Sequence, residues 1–222
     1  QGKRKSGELT TLQYLFDFLD SYDFTSEGSE EIQEQNKNLI NASVLGLIFE
    51  KINGYKDGSF FTPGFVTMYM CKETIRRTVI EKFNEKYQID CDSFDDLKNF
   101  VGTRFKAKDI LEFNQVINDL KICDPAVGSG HFLVSALNEV IAIKAELGIL
   151  ADKEGVRLTG YEVKIENDEL IITYNDNTEI FEYSVTGNSI TKEVQRVQKT
   201  LFHEKESIIE NSLFGVDINP NS

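Results

Sequence analysis

The chain has 222 residues, of which 40% are hydrophobic and 27% charged, and its net charge is −13. This length is enough for one well-formed hydrophobic core, or for one core with a satellite element. No apolar run approaches the roughly 18–20 residues of a membrane span, and no apolar segment follows the basic N-terminus as it would in a signal peptide. A cytoplasmic location is therefore expected.

Charge and cysteine usage argue against several kinds of site. A chain this acidic would be repelled by the phosphate backbone of DNA. DNA binding would therefore have to come from residues outside this chain. The 3 cysteines are irregularly spaced and form no Cys-x-x-Cys pair, which argues against a disulfide framework and against a zinc site. The two histidines, His131 and His203, lack neighbours at metal-ligand spacing. We expect reduced thiols and no metal.

Residues 1–57 are predicted to form an N-terminal helical region. Apolar residues at helical spacing predict one helix over residues 9–24 and a second over residues 39–52. The polar, acidic segment between them is predicted to be a loop or a frayed helix start. Asn53-Gly54 ends the second helix.

Three further helices are predicted before the middle of the chain. Pro63 suits a first helical turn, Thr62 can act as the N-cap, and this helix is expected to run to about Tyr87. Shorter helices are predicted over residues 94–100 and 109–117.

A strand, a glycine turn and a helix follow one another in the middle of the chain. The short apolar run at residues 121–123 ends at Asp124, and a glycine-containing segment comes next. The pattern then becomes helical over residues 131–147 and is closed by Gly148 as C-cap.

The last third of the chain changes from strands to a helix and back. Strand-like runs at residues 156–165, 169–174 and 179–185 are separated by Asn- and Asp-rich turns, which predicts an antiparallel meander. A charged helix is predicted over residues 190–211, and a buried-type strand follows at residues 213–217.

The segment after Asp124 has the chemistry of a nucleotide-binding turn. Gly128 and Gly130 allow the backbone to turn sharply and leave space where a side chain would meet a ligand. The helix start offers free N–H groups to a polar or anionic group. A dinucleotide-binding turn is disfavoured, because Leu133 stands where that motif needs a third glycine, and Glu146 lies within a helix rather than at a strand end.

Three segments, in one order, resemble the adenine-N6 DNA methyltransferases. Asp-Pro-Ala-x-Gly-Ser-Gly-x-Phe at residues 124–132 is similar to their S-adenosylmethionine-binding motif. Residues 58–63 resemble the Phe-Thr-Pro segment that precedes it in the gamma-ordered group. Residues 213–220 resemble the second strand, and residues 45–50 resemble a helix of large single-chain, type IIG-like restriction-modification enzymes. Three matches in one order are far less expected by chance than any one alone.

The resemblance implies S-adenosyl-L-methionine as the cofactor. Asp217 would hold the ribose hydroxyls, with Ile218 against the adenine, and Asp124 would hold the glycine turn and the cofactor's amino group. In the alternative interpretation, Asp217 and Asp124 each only cap the turn after their own strand, and Thr62 serves only as an N-cap. Phe132 is expected to be a packing residue that borders the site. The predicted cofactor-binding residues are Phe61, Thr62, Pro63, Asp124, Pro125, Ala126, Gly128, Gly130, Phe132, Asp217 and Ile218.

The sequence departs from the family pattern in two ways. Asp124 and Asp217 lie much farther apart than the roughly 20–25 residues of a strand-helix-strand unit, which we attribute to a β-meander inserted at residues 152–189. The catalytic Asn-Pro-Pro-Tyr motif, which holds the flipped adenine, does not occur. No residue is therefore predicted to be catalytic, and the chain is expected to be a fragment that is inactive alone.

The expected fold is α/β, with a partial, Rossmann-like S-adenosylmethionine-dependent methyltransferase sheet over residues 58–222. The missing strands would leave an exposed edge, so we expect a marginal fragment or self-association through edge strands. The expected function is the cofactor-binding portion of a site-specific DNA adenine-N6 methyltransferase in restriction-modification or phage defence, with double-stranded DNA bound by other parts of the parent. The alternatives are a non-catalytic methyltransferase-like binding or assembly module, and a methyltransferase acting on RNA or protein.

Overall fold

The structure is a computed structural model of the chain. It describes residues 10, 13, 22–23, 38–39, 62–166, 168–174, 181 and 191–217. The chain divides into two compact units, residues 1–61 and residues 62–222. In the first unit β1 (Tyr22–Asp23) and β2 (Asn38–Leu39) pair in parallel.

The two helices predicted for the first unit are only partly covered by described residues. Gln13 is helical, and its N–H donates to the Thr10 hydroxyl at 3.3 Å. The predictions fail at Tyr22–Asp23 and at Leu39, which lie in strands rather than in helices. These strands form through a pairing that helical periodicity cannot detect. Most of both predicted helices lies outside the described residues.

The second unit alternates helices with short strands. Its described elements are α1 (Gly64–Tyr87), α2 (Phe94–Val101), α3 (Ala107–Asn118), β3 (Ile122–Asp124), α4 (His131–Glu146), β4 (Tyr161–Glu166), β5 (Glu169–Tyr174), α5 (Lys192–Asn211) and β6 (Leu213–Gly215). The predicted helices of this unit are confirmed to within about two residues at each end. No helix among the described residues is long and apolar enough to cross a membrane.

The packing of α1 against α4 forms much of the core. α1 buries a stripe of side chains four residues apart, from Thr67 and Cys71 to Phe83. α4 is buried almost all round over residues 138–144, so it lies at the centre of this unit. Each large apolar side chain that is fully buried contributes about 1.5–3 kcal/mol. This packing fixes the start of α1 beside the start of α4.

Helix ends differ in detail from the predictions. Thr62 does not cap α1: Pro63 is the N-cap residue, and no side chain caps this end. The carbonyl of Pro63 already accepts from the N–H groups of Val66 and Thr67, so Thr62 stands one residue too early to cap. The C-cap of α4 is Leu147, and Gly148 follows it with a left-handed φ of +68°.

The strands on either side of the long insertion are neighbours, as predicted. β3 and β6 pair in parallel with Asp124 opposite Gly215. Two strands that are distant in sequence therefore end at the same edge. The described strands form sheets of two strands each, so the fold is a mixed α/β arrangement with small sheets. The extended Rossmann-like sheet remains an expectation.

The predicted meander begins with an antiparallel hairpin. β4 and β5 pair from Tyr161 opposite Tyr174 to Glu166 opposite Glu169. The first strand begins at Tyr161 rather than at residue 156, because the chain before it forms only one isolated bridge. The third predicted run lies mostly outside the described residues, and its Phe181 N–H donates to the carbonyl of Ile172 at 2.7 Å.

Candidate functional site

The segment after β3 folds into a turn that is bonded to both parallel strands. The Asp124 carboxylate accepts from the Ala126 N–H at 3.0 Å, which closes a local Asx turn. The Val127 N–H donates to the Val216 carbonyl at 2.9 Å, and the Gly130 N–H donates to the Val127 carbonyl at 2.8 Å. The turn is therefore held by the end of β3 and by the residues after β6.

Two glycines give the turn its shape. Gly128 has a φ of +50° and Gly130 a φ of +77°, in the left-handed region that side chains disfavour. A Cβ built on Gly130, the N-cap residue of α4, would meet no atom within 4 Å. The backbone conformation at residue 130 thus favours glycine, and the backbone there borders open space.

Asp217 reaches the same turn from the other strand. Its Oδ2 accepts from the Gly128 N–H at 3.0 Å. The carboxylate of Asp217 is therefore placed at the glycine turn, a position that suits either ribose binding or capping of the turn. A carboxylate has roughly four lone-pair sites, so it can accept several hydrogen bonds.

Gly215 allows β6 to approach the turn closely. A Cβ on this residue would lie 2.7 Å from Val127 Cγ2 and 3.3 Å from Leu133 Cδ1. A side chain there would push the strand and the turn apart. Sequence reasoning placed Gly215 only within a strand, since the close neighbour that demands glycine becomes visible only when the two strands pair.

The start of α1 lies against the start of α4. A Cβ on Gly64 would be 3.0 Å from Nε2 of His131, the first residue of α4. Thr62 and Pro63 precede this contact and are exposed. The structure therefore brings the Thr-Pro segment next to the glycine turn. Phe61 and Ile218, also predicted to bind cofactor, lie outside the described residues.

The other predicted site residues line the turn or pack beneath it. Pro125 and Ala126 are exposed, as is Gly128. Phe132 is half-buried and packs against the hydrophobic core, and its carbonyl lies 3.7 Å from the thiol of Cys71. Phe132 thus has the position of a packing residue at the border of the turn.

A buried polar cluster lies beside the start of α4, and sequence reasoning missed it. Asp168, in the β4–β5 turn, accepts a hydrogen bond from Ser135 Oγ at 3.0 Å and lies 3.4 Å from Nε2 of His131. Ser135 Oγ is also 3.0 Å from the hydroxyl of Thr67. Burial raises the pKa of the Asp168 carboxyl above its ordinary value, although the hydrogen bond from Ser135 and the electrostatic effect of His131 oppose the shift.

No sequence signal marks this cluster. An acid after Asn167 is ordinary turn chemistry, and His131 was considered only as a metal ligand. The contact between Ser135 and Asp168 spans 33 residues and depends on how the hairpin packs on α4. Among the described residues, no group of three or more His, Cys, Asp or Glu side chains could hold a metal ion.

Comparison with known proteins finds two similarities. Residues 1–40 match a family described as a domain of unknown function, DUF7814. A protein of Methanocaldococcus jannaschii, described as a putative type II restriction enzyme and methyltransferase, is 35% identical over 179 residues. The similarity covers 69% of this chain. The chain is related to a restriction-modification methyltransferase.

The match extends over a small part of that relative. It covers 15% of the relative's length, so most of the larger protein has no counterpart in these 222 residues. No solved structure matches the chain. The relationship therefore rests on sequence similarity, and the geometry of the glycine turn has to be interpreted through its own contacts.

Proposed function

We propose that this chain is the S-adenosylmethionine-binding portion of a site-specific DNA adenine-N6 methyltransferase in a restriction-modification or phage-defence system. The observation that carries the proposal is the parallel pairing of β3 with β6, which places the Asp217 carboxylate 3.0 Å from the Gly128 N–H. The relative's description as a restriction enzyme and methyltransferase supports the same class of reaction.

The arrangement suits a ligand with a ribose and a charged amino-acid end. An ionised carboxylate such as Asp217 can accept hydrogen bonds from both hydroxyls of a ribose, each worth about 1.5–3 kcal/mol. The free N–H groups at the start of α4 favour an anionic group such as a carboxylate. Asp124 would hold the shape of the turn between these two points.

The chain's part in methyl transfer would be to bind and orient. S-adenosylmethionine supplies the reactive methyl group, while the protein supplies position and electrostatics. The adenine would be flipped out of the duplex and held by residues outside this chain, since no Pro-Pro-aromatic motif occurs in it. Because the net charge of this chain is −13, binding to the DNA backbone would depend on other parts of the parent protein.

A non-catalytic module is the second candidate, and the same contact is compatible with it. The bond from the Gly128 N–H to Asp217 would serve equally well in a protein that keeps the turn but has lost the cofactor. Cofactor binding separates this candidate from the methyltransferase. A methyltransferase acting on RNA or protein would bind the same cofactor and must be separated by its substrate.

A matched pair of glycine variants tests the cofactor site. Gly130→Ala and Gly148→Ala both place a Cβ on a left-handed backbone, at φ +77° and +68°, so each should cost about 1–2 kcal/mol of stability. The Cβ at residue 130 would enter the open space over the turn, whereas the one at residue 148 would lie 3.6 Å from the Arg157 guanidinium. We expect binding of S-adenosylmethionine to weaken at least tenfold only in Gly130→Ala.

Calorimetric titration and thermal melts of both variants provide the readout. Equal losses of binding would mean that strain alone is responsible. Unchanged binding in Gly130→Ala would place the cofactor away from the turn.

The choice of adenine N6 requires a separate experiment. The gene for the protein that carries this chain would be deleted, and the genome sequenced for N6-methyladenine. We expect one sequence-specific set of methylated adenines to disappear and to return on complementation. An unchanged methylation pattern in an expressing strain would count against DNA adenine as the substrate.

A further inference from the structure

Asp168 occupies an unusual position in the β4–β5 turn. Its φ of +65° is left-handed, a conformation that costs free energy for a residue with a Cβ. Its side chain is only 7% exposed, although it is an acid in a surface-type hairpin turn. The Asn138 amide donates to the Asp168 backbone carbonyl at 2.7 Å, so the turn has an anchor on α4 in addition to the carboxylate.

The carboxylate of Asp168 is poorly satisfied for a buried acid. Its Oδ2 accepts from Ser135 and faces His131, but its Oδ1 has no hydrogen-bond partner among the described residues. A buried charge with an unsatisfied oxygen costs stability. An asparagine would also tolerate the left-handed backbone, and it would remove the buried charge. Stability alone therefore does not explain an acid at this position.

The group that the acid faces lies at the proposed cofactor site. His131 is the first residue of α4 and directly follows Gly130. The Nε2 atom of its ring lies 3.4 Å from the Asp168 carboxylate. The same nitrogen would lie 3.0 Å from a Cβ built on Gly64, at the start of α1. The His131 side chain is 38% exposed, so a ligand can reach it. The imidazole thus follows the glycine turn directly and lies beside the start of α1. These are the two segments that the proposed site uses.

We propose that Asp168 is a positioning residue that orients the imidazole of His131, and that His131 contacts the amino-acid end of the cofactor. This inference rests on the proposed function. A carboxylate that faces Nε2 favours the proton on that nitrogen, which leaves Nδ1 as the ring atom that can bond the ligand. The β4–β5 hairpin thereby contributes to the site from within the inserted segment.

A double-mutant cycle tests whether Asp168 acts through His131. Asp168→Asn, His131→Ala and the double variant would be prepared in the longest natural protein that carries these residues, and S-adenosylmethionine binding measured by calorimetry. We expect each single variant to bind about five- to tenfold more weakly, which is the loss typical of one ordinary hydrogen bond. The double variant should bind like His131→Ala, because Asp168 has no effect without the ring that it orients.

Stability provides the readout that separates positioning from simple anchoring. The melting temperature of Asp168→Asn should stay unchanged or rise, since the variant removes a buried charge and keeps the turn. An acid that only anchored the hairpin would lower the melting temperature and leave ligand binding intact. If Asp168→Asn does not fold, Asp168→Gly provides the second variant, because glycine adopts the same backbone without strain. It should show the same loss of binding.

The second histidine provides a matched control. His203 Nδ1 lies 3.5 Å from Glu206 Oε2 in an exposed pair on α5. His203→Ala and Glu206→Gln should leave S-adenosylmethionine binding unchanged.

Independent, additive losses in the cycle, or full binding by Asp168→Asn, would overturn the positioning role while leaving the proposed function in place. A wild-type protein that does not bind S-adenosylmethionine would overturn both.

Discussion

The cysteines differ at the scale of single residues because their surroundings differ. Burial raises the pKa of the Cys71 thiol to about 12, and the nearby carboxylates of Asp168, Glu139 and Asp124 act in the same direction. Cys123 is exposed in the middle of β3. The thiolate is the reactive form, so Cys71 should be chemically inert while the native fold persists.

Differential alkylation checks this expectation. With iodoacetamide at pH 8, Cys123 should be modified at least tenfold faster than Cys71, as measured by mass spectrometry of the digested protein. In denaturant the two should react at similar rates, which provides the control. Rapid modification of Cys71 in the native protein would contradict the packing of α1 against α4.

The sequence identified some site residues and not others, for a physical reason. Asp124, Gly128 and Asp217 belong to short motifs at strand ends, where local order is enough to suggest that they meet. His131 and Asp168 meet only because a hairpin folds back on α4, and no local pattern encodes that contact. The ribose and amino-group roles assigned to the acids stay predictions.

At the scale of elements, three helices converge on one buried charge. Lys144 of α4 is fully buried and pairs with Glu204 of α5, and its ammonium also donates to Asn118 of α3 at 2.7 Å. Burial lowers the pKa of Lys144, although the neighbouring Glu204 opposes the shift. The main effect of such a buried pair is that each charge offsets the desolvation cost of the other. Either charge would be costly if it were buried alone.

Removing one partner of this pair should be costly. Glu204→Ala leaves the buried ammonium without a counter-ion, and we expect the free energy of unfolding to fall by about 3–5 kcal/mol. The double variant Lys144→Met with Glu204→Leu should recover most of that loss, since apolar side chains of similar volume can fill the site. Urea denaturation measures both. A loss under about 1 kcal/mol in Glu204→Ala would show that the pair is solvated.

The helices of the second unit were predictable because periodicity and end signals agree. Ser93 is the N-cap residue of α2 and forms a capping box with Asp96. The helix α1 buries every fourth residue. The strands at Tyr22–Asp23 and at Asn38–Leu39 escaped prediction because they consist of two residues each and form through pairing. Whether a residue such as Thr62 caps a helix depends on backbone hydrogen bonds that the composition does not show.

At the scale of the whole molecule, the order of motifs correctly predicted that two strands distant in sequence are neighbours. The pairing of β3 with β6 across a long insertion followed from the expectation that two motif-bearing strands end side by side. The width of the sheet could not be predicted, because additional strands depend on partners that these motifs do not specify. The similarity extends over 15% of the larger relative, so the activity of a whole methyltransferase stays a proposal for this chain.

Binding of S-adenosylmethionine by the Asp217 variants tests the central proposal most directly. Calorimetry would compare the wild type with Asp217→Ala and Asp217→Asn, in this chain and in the longer protein that carries it. We predict at least tenfold weaker binding in Asp217→Ala, and a smaller loss in Asp217→Asn, which keeps an acceptor for the Gly128 N–H. Wild-type affinity in both variants, or no binding by the longer wild-type protein, would contradict a cofactor site at this turn.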